Sequence, residues 1–175
     1  MSSHLPKNPN DELSFEEKDL REIYVAGGCF WGIDAYMKRV KGVYATESGY
    51  ANGHTQNPTY EQVCTHTTGF VEAVKIKYDV TKIGLKQLLE AFTTVIDVVS
   101  ITGEMDEVGD QYRSGVYYTD ETDRAVSVEV IETLKKSVSG KVNVEIMPLE
   151  NYYPAEDYHQ DYMEKHVDAS CHVKF

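Results

Sequence analysis

Nowhere in these 175 residues does an apolar run approach the ~20 residues that a membrane-spanning helix needs. The N-terminus, MSSHLPKNPNDELSFEEKDL, lacks the basic start and apolar stretch of a secretory signal. Both absences predict a cytoplasmic protein in a reducing compartment. Basic residues are scarce: 17 Lys and Arg against 29 Asp and Glu leave a net charge of −12. Nucleic acid and anionic membrane would each need a basic face, so neither is expected as a partner. Cysteine is rarer still. Three of them, at positions 29, 64 and 171, are too few and oddly numbered for a disulfide-stapled scaffold. No CxxC pair is present, and the wide separation of the three gives no zinc-ligand spacing, so no metal site is expected. Internal repeats and low-complexity segments are also missing.

What remains is an ordinary globular composition, 41% hydrophobic and 26% charged, at a length that fits one domain. Residues 1–20 read as a polar extension with a short helix near Phe15–Leu20, and 21–175 as a single catalytic domain ending in an irregular tail. Alternation and β-rich composition predict strands over Glu22–Ala26, Val43–Tyr50, GFVEAVKIKYD, Ser114–Tyr118 and Val142–Leu149. Helical spacing predicts helices over Phe30–Val40, Leu85–Ile96, Asp120–Lys136 and Ala155–Lys165, with a helical turn over Tyr60–Cys64. Asp97–Arg113 has no apolar period and reads as a long functional loop. Intermixed strands and helices of this kind predict an α+β two-layer sandwich, with helices mainly on one face of one sheet.

Against that background AGGCFWG stands out. Cys29 lies between Gly27-Gly28 and Phe30-Trp31, Trp31 being the only tryptophan. Strand, glycine pair, cysteine and helix make a strand-to-helix turn that sets the thiol at a helix N-terminus. There, unsatisfied backbone N–H groups and the helix dipole favour the thiolate. The glycines allow a tight turn and close approach of a substrate, and the two aromatics wall an apolar pocket. The segment proposes a nucleophile without naming its reaction; a core cysteine beside two core aromatics is the alternative.

The strand FVEAVKIKYD carries a second anomaly. Side chains alternate between faces, and Glu72 shares its face with Phe70, Val74, Ile76 and Tyr78. A carboxyl on a core-facing side is costly to ionise and holds its proton towards neutrality, which makes it a general acid. The alternative is a strand-end carboxylate that reaches water or a basic partner. Cys171 lies in the closing segment DASCHVKF, from which a swinging tail could bring it to an oxidised Cys29 to form a disulfide; a terminal thiol with no task is the alternative. Cys64 reads as a small half-buried residue, and the scattered histidines as surface.

These segments together resemble the A-type peptide methionine sulfoxide reductase family. The matching stretches are AGGCFWG, SGYANG, NPTYEQVC, TGFVEAVKIKYD, QYRSGVYY and YYPAEDYHQDYMEK, and they cover nearly all of the chain beyond the N-terminal extension. The resemblance implies a ferredoxin-like core with additional helices and strands. It implies reduction of the S epimer of methionine sulfoxide in proteins and peptides, through a cysteine sulfenic acid and then a disulfide. By the same match Cys29 is the nucleophile, Phe30 and Trp31 hold the substrate methyl group, and Glu72 donates the proton. Tyr60 and Tyr112 hydrogen-bond the sulfoxide oxygen, and Cys171 is the recycling cysteine, its disulfide reopened by thioredoxin or a similar dithiol.

The chain departs from the family pattern in two places. Phe70-Val71 replaces His-Ala before Glu72, making that carboxyl's surroundings more apolar. In the 98–110 segment, Val98 stands for a proline, Thr102-Gly103-Glu104-Met105 for Asn-Arg-Gln-Gly, and Glu107 for an aspartate that contacts substrate. The more acidic rim predicts an altered peptide preference or weaker catalysis. Two other readings stay open at this stage. One is a cysteine hydrolase or transferase using Cys29 with His159 as base, oriented by Asp157 or Asp161; the other is an inactive binding homologue. The packed YPAEDYHQDY match favours a structural task for Asp157 and His159.

Overall fold

Strand β1 (Leu20–Gly27) stops at the glycine pair, and helix α1 (Phe30–Met37) starts one residue after it, with Cys29 as its N-cap. The computed structural model describes residues 5–65, 67–96, 114–138 and 142–166. In chain order there follow β2 (Val43–Ala51), α2 (Tyr60–Val63), β3 (Val71–Asp79), α3 (Leu85–Val95), β4 (Ser114–Tyr118) and α4 (Glu121–Ser137). The chain then adds β5 (Val144–Pro148), β6 (Tyr152–Pro154) and α5 (Tyr162–Lys165). The predicted 97–113 loop and the tail from residue 167 lie outside the described residues.

One sheet holds all six described strands, in the order β5-β4-β1-β3-β2-β6. Only the β4–β5 pair is parallel. Helices α1, α3 and α4 cover one face, packing on Ile23, Val25, Val74, Ile76, Tyr78 and Val116. The opposite face is a smaller apolar layer of Tyr24, Ala26, Ala51, Val71, Ala73 and Tyr117, partly covered by Leu149 and Tyr152. The mixed α/β architecture with helices on one face is therefore the one predicted. Helix α3 shows why: Leu85, Leu88, Leu89, Phe92 and Val95 recur at helical spacing and are all buried. Helix α4 is capped by Asp120, whose side chain accepts from the Thr122 N–H. Acidic residues occupy its first turn and Lys135 and Lys136 its last, matching the helix dipole.

The expectation for the segment after β6 needs correction. Ala155–Lys165 is not one helix. A 3-10 turn at Asp157–His159 is followed by Gln160 in extended conformation and Asp161 in the left-handed region (φ 52°), so α5 begins only at Tyr162. The cause is Gln160, whose side-chain amide accepts from the Ser48 N–H and donates to the Ser48 and Ala155 carbonyls. A glutamine used to strap the segment to β2 cannot also extend a helix. Strand β6, a segment for which the sequence predicted no element, pairs antiparallel with the end of β2.

The N-terminal extension is docked rather than dangling. It holds 3-10 turns at Pro9–Glu12 and Glu17–Asp19 in place of the short helix expected near Phe15. The Asn10 amide donates to the carbonyls of Lys38 and Val40 and accepts from the Gly42 N–H, each at 2.8–2.9 Å. It thereby closes the exit of α1 towards β2. Asn10→Ala strands three backbone groups, so chemical denaturation is expected to show a loss of about 2–3 kcal/mol. Single-turnover chemistry at Cys29 is expected to stay within about twofold.

Candidate active site

The turn that presents Cys29 is set by its two glycines in different ways. Gly28 sits at φ +93°, a region closed to most side chains. At Gly27 a β-carbon would collide with Ile96 and Phe92, so the turn packs directly on the end of α3. Cys29 follows as the N-cap of α1 (φ −58°, ψ 125°), half-buried, at the end of the helix where the first N–H groups have no intrahelical partners. Cys29 and Cys64 are both thiols. Cys64 is half-buried at the C-cap of α2, as expected.

Glu72 meets this turn from below. It projects from β3 on the helix-covered face, as strand alternation predicts, and is only 1% exposed. The Phe30 N–H, one residue beyond the thiol, donates to its Oε1 at 3.2 Å. Its Oε2 has no hydrogen-bond partner among the described residues. Lys75 and Lys77 pair with Glu22 on the other face, so no basic group among the described residues neutralises Glu72. Burial pushes the carboxyl up to about 8, with the Phe30 N–H pulling slightly the other way. At neutral pH Glu72 is therefore mostly the uncharged acid, with an O–H to give. The alternative of a solvated or ion-paired carboxylate is not what the chain builds.

Aromatic side chains line the rest. Phe30 is buried against Tyr50 (ring centroids 5.8 Å apart) and His159 (5.1 Å). Trp31 stacks on Tyr162 at 3.7 Å, nearly parallel, and its indole N–H donates to His159 Nδ1 at 2.9 Å. An Nδ1 that accepts fixes the neutral tautomer with the proton on Nε2, and burial holds His159 below the ordinary imidazole range. No lone pair is left for taking a proton from Cys29. Neither Asp157 nor Asp161 hydrogen-bonds the ring. Asp157 is exposed, and the Asp161 carboxylate binds Lys38 instead. The hydrolase arrangement is thus not assembled, and His159 orients Trp31.

Tyr60 arrives on α2, which opens with a reciprocal Thr59–Gln62 capping box. Its ring lies 4.6 Å from His159, and its backbone N–H donates to Glu156 Oε2 at 3.0 Å. The other Glu156 oxygen accepts from the Tyr50 hydroxyl at 2.8 Å. Desolvation pushes Glu156 upward, but those two donors outweigh it and hold the carboxylate below its ordinary range. Burial and Glu156 push the Tyr50 phenol well up, so it stays a donor. Tyr50 is the cross-strand neighbour of Glu72. Neither Tyr50 nor Glu156 was singled out from the sequence, because only the β2–β3 register and the 155–160 strap bring them to the site. Tyr112, Glu107 and Cys171 lie outside the described residues.

One cluster near the site has the composition of a metal centre. The carboxylates of Asp34, Asp161 and Glu164 lie within 4.8 Å of one another. Lys38 fills the space between them, with Nζ 3.2 Å from Asp34, 3.3 Å from Glu164 and bonded to Asp161. This ammonium-centred triad ties α1 to α5 and so holds Trp31 against Tyr162.

Comparison with known proteins gives the same frame. Residues 21–175 match the model of the family described as peptide methionine sulfoxide reductase. Peptide methionine sulfoxide reductase MsrA of Clostridium perfringens is 48% identical over 155 residues, covering 89% of this chain and 99% of that protein. The reduced form of Mxr1 from Saccharomyces cerevisiae superposes with a TM-score of 0.81 at 27% identity, over 91% of this chain and 93% of that one. Mxr1 in complex with Trx2 shares the fold at a TM-score of 0.59 and 20% identity, over 86% of this chain and 90% of that one.

Proposed function

The chain belongs to the peptide methionine sulfoxide reductase family, and we propose that Cys29 and Glu72 carry its thiol-dependent reduction of methionine sulfoxide. The Cys29 sulfur attacks the sulfoxide sulfur while Glu72 gives its proton to the sulfoxide oxygen. An S–S bond forms as the S–O bond breaks; the hydroxide so released then adds to the Cys29 sulfur, the S–S bond breaks, methionine leaves with that electron pair, and Cys29 is left as a sulfenic acid. Charge developing on the sulfoxide oxygen is met by the hydroxyls of Tyr60 and Tyr112. Phe30 and Trp31 receive the methyl group, and Glu107 contacts the substrate. Cys171 then displaces water from the sulfenic acid to give a Cys29–Cys171 disulfide, which a dithiol reopens by exchange.

The observation that carries this reading is the hydrogen bond from Phe30 N–H to Glu72, which holds an uncharged acid one residue from the thiol. The reductant is a thioredoxin-like dithiol, the kind of partner with which Mxr1 was crystallised. The working compartment is the reducing cytoplasm, where such dithiols are kept reduced. The substrate is the S epimer in a peptide.

Each epimer of a methionine sulfoxide peptide, mixed with the protein before and after excess dithiol, tests the assignment. The expected result is about one methionine per chain without dithiol and sustained turnover with it, from the S epimer alone. Product from the R epimer overturns the stereochemical assignment. No product from either overturns the reaction.

A further inference from the structure

Tyr158 is the most exposed aromatic beside the site, with 53% of its surface open, yet it is not isolated. Its ring lies 4.0 Å from that of His159, whose ring in turn meets Phe30 and Tyr60 and holds Trp31. A continuous aromatic stack therefore runs from Phe30, next to the thiol, through the buried His159 ring out to solvent, and Tyr158 is its outer end. Two carboxylates accompany that end. Glu156 is the preceding residue but one, held ionised by Tyr50 and Tyr60. Glu61 projects into solvent from α2, next to Tyr60, and forms no ion pair among the described residues. Both charges and the nearby Cys64 act on the Tyr158 phenol, whose ionisation is pushed up by burial first and then by Glu156 and Glu61. The Lys165 ammonium donates to the Asp157 carbonyl.

A tyrosine face with carboxylates at its edge suits a cation: the ring quadrupole and the negative charges both attract it, and the stem of Lys or Arg packs on the ring. Resting on the reductase reading, we propose that Tyr158 and Glu61 form a subsite for a lysine or arginine adjacent to methionine sulfoxide in the substrate peptide. Such a contact selects among sulfoxides by their neighbours and leaves the chemical step alone. It would direct repair towards methionines in basic segments.

The test compares kcat/KM for three short blocked peptides in which the S-sulfoxide is flanked on both sides by Lys, Gln or Glu. The Lys peptide is expected to exceed the Glu peptide by about five- to twentyfold at low salt and less at 0.5 M salt. Tyr158→Ala or Glu61→Gln should reduce that ratio to about threefold or less, with the Gln peptide changed by no more than about twofold. Glu129→Gln, on α4 over the opposite end of the sheet, should leave the ratio intact. Equal rates for the Lys and Glu peptides overturn the subsite, as does a preference that survives both variants. An equal fall in Glu129→Gln assigns the effect to the overall field of the acidic chain and also overturns it. Absence of turnover with all three peptides overturns the reductase reading, and this proposal with it.

Discussion

Cys29→Ser is expected to yield no methionine above background from the S-sulfoxide peptide, with or without dithiol. The loss should be at least about a thousandfold in single turnover, as for removal of other catalytic nucleophiles. The reason is redox balance as much as nucleophilicity. Reducing a sulfoxide moves two electrons onto its sulfur, and among the described site residues only the Cys29 thiol can supply them while accepting the oxygen. Tyr60, Glu72 and Trp31 can position or protonate but cannot be oxidised to a sulfenic acid. The paired variant separates chemistry from recycling: Cys171→Ser should release the first methionine at the wild-type rate, then leave a sulfenic acid that a dimedone probe captures. Quenched-flow with mass analysis of the protein reads both. Full first-turnover product from Cys29→Ser would remove the nucleophile assignment.

Glu72→Gln is expected to slow the first turnover by about 100- to 10,000-fold, the range for a lost general acid. The same substitution should change stability in the opposite direction, and by an amount that depends on pH. In the unfolded chain Glu72 has an ordinary glutamate pKa; in the fold, burial raises it to about 8. Between those values the folded state binds the extra proton, so stability from this group is intact below about pH 4.5 and lost as pH rises to about 8. The full difference corresponds to roughly 3–5 kcal/mol. Urea denaturation of wild type should show that decline, and Glu72→Gln should lack it, becoming relatively more stable at pH 9 than at pH 5. Single-turnover rates of the wild type should fall above about pH 8 as the acid ionises. A carboxyl kept at this cost in the core has a purpose other than stability.

The placements of Cys29 and Glu72 were legible in the sequence because each follows from local rules. Glycines and aromatics around Cys29 fix a strand-to-helix turn. Strand alternation alone puts Glu72 on the face of Val74 and Ile76. What could not be read is what long-range pairing supplies. Trp31 and His159 are 128 positions apart, and Tyr50 and Glu156 are 106 apart, so their hydrogen bonds depend on strap, register and sheet order together. The 155–165 segment misled for a physical reason as well: its composition suits a helix, but Gln160 spends its side chain on the backbone of Ser48 and Ala155. Strand β6 is too short, at three residues, to carry a periodic signal.

The shared role of Trp31, His159 and Tyr162 follows from that same packing. Because the indole N–H is committed to His159 and the indole face to Tyr162, the Trp31 ring cannot rotate away from Cys29 without breaking both. The Lys38 triad holds the platform from beneath. Walls held this rigidly lose little entropy when a small apolar group docks on them, which is what the proposed methyl-group contact requires.

The ionisation of Glu72 itself is the most direct measure of the account. Protein labelled with 13C at the glutamate carboxyls, with Glu72→Gln used to assign the resonance, gives its titration by NMR between pH 4 and 10. A midpoint near 8 is predicted. A midpoint near 4.5 would mean a carboxylate already ionised at neutral pH, with no proton to hand to the sulfoxide.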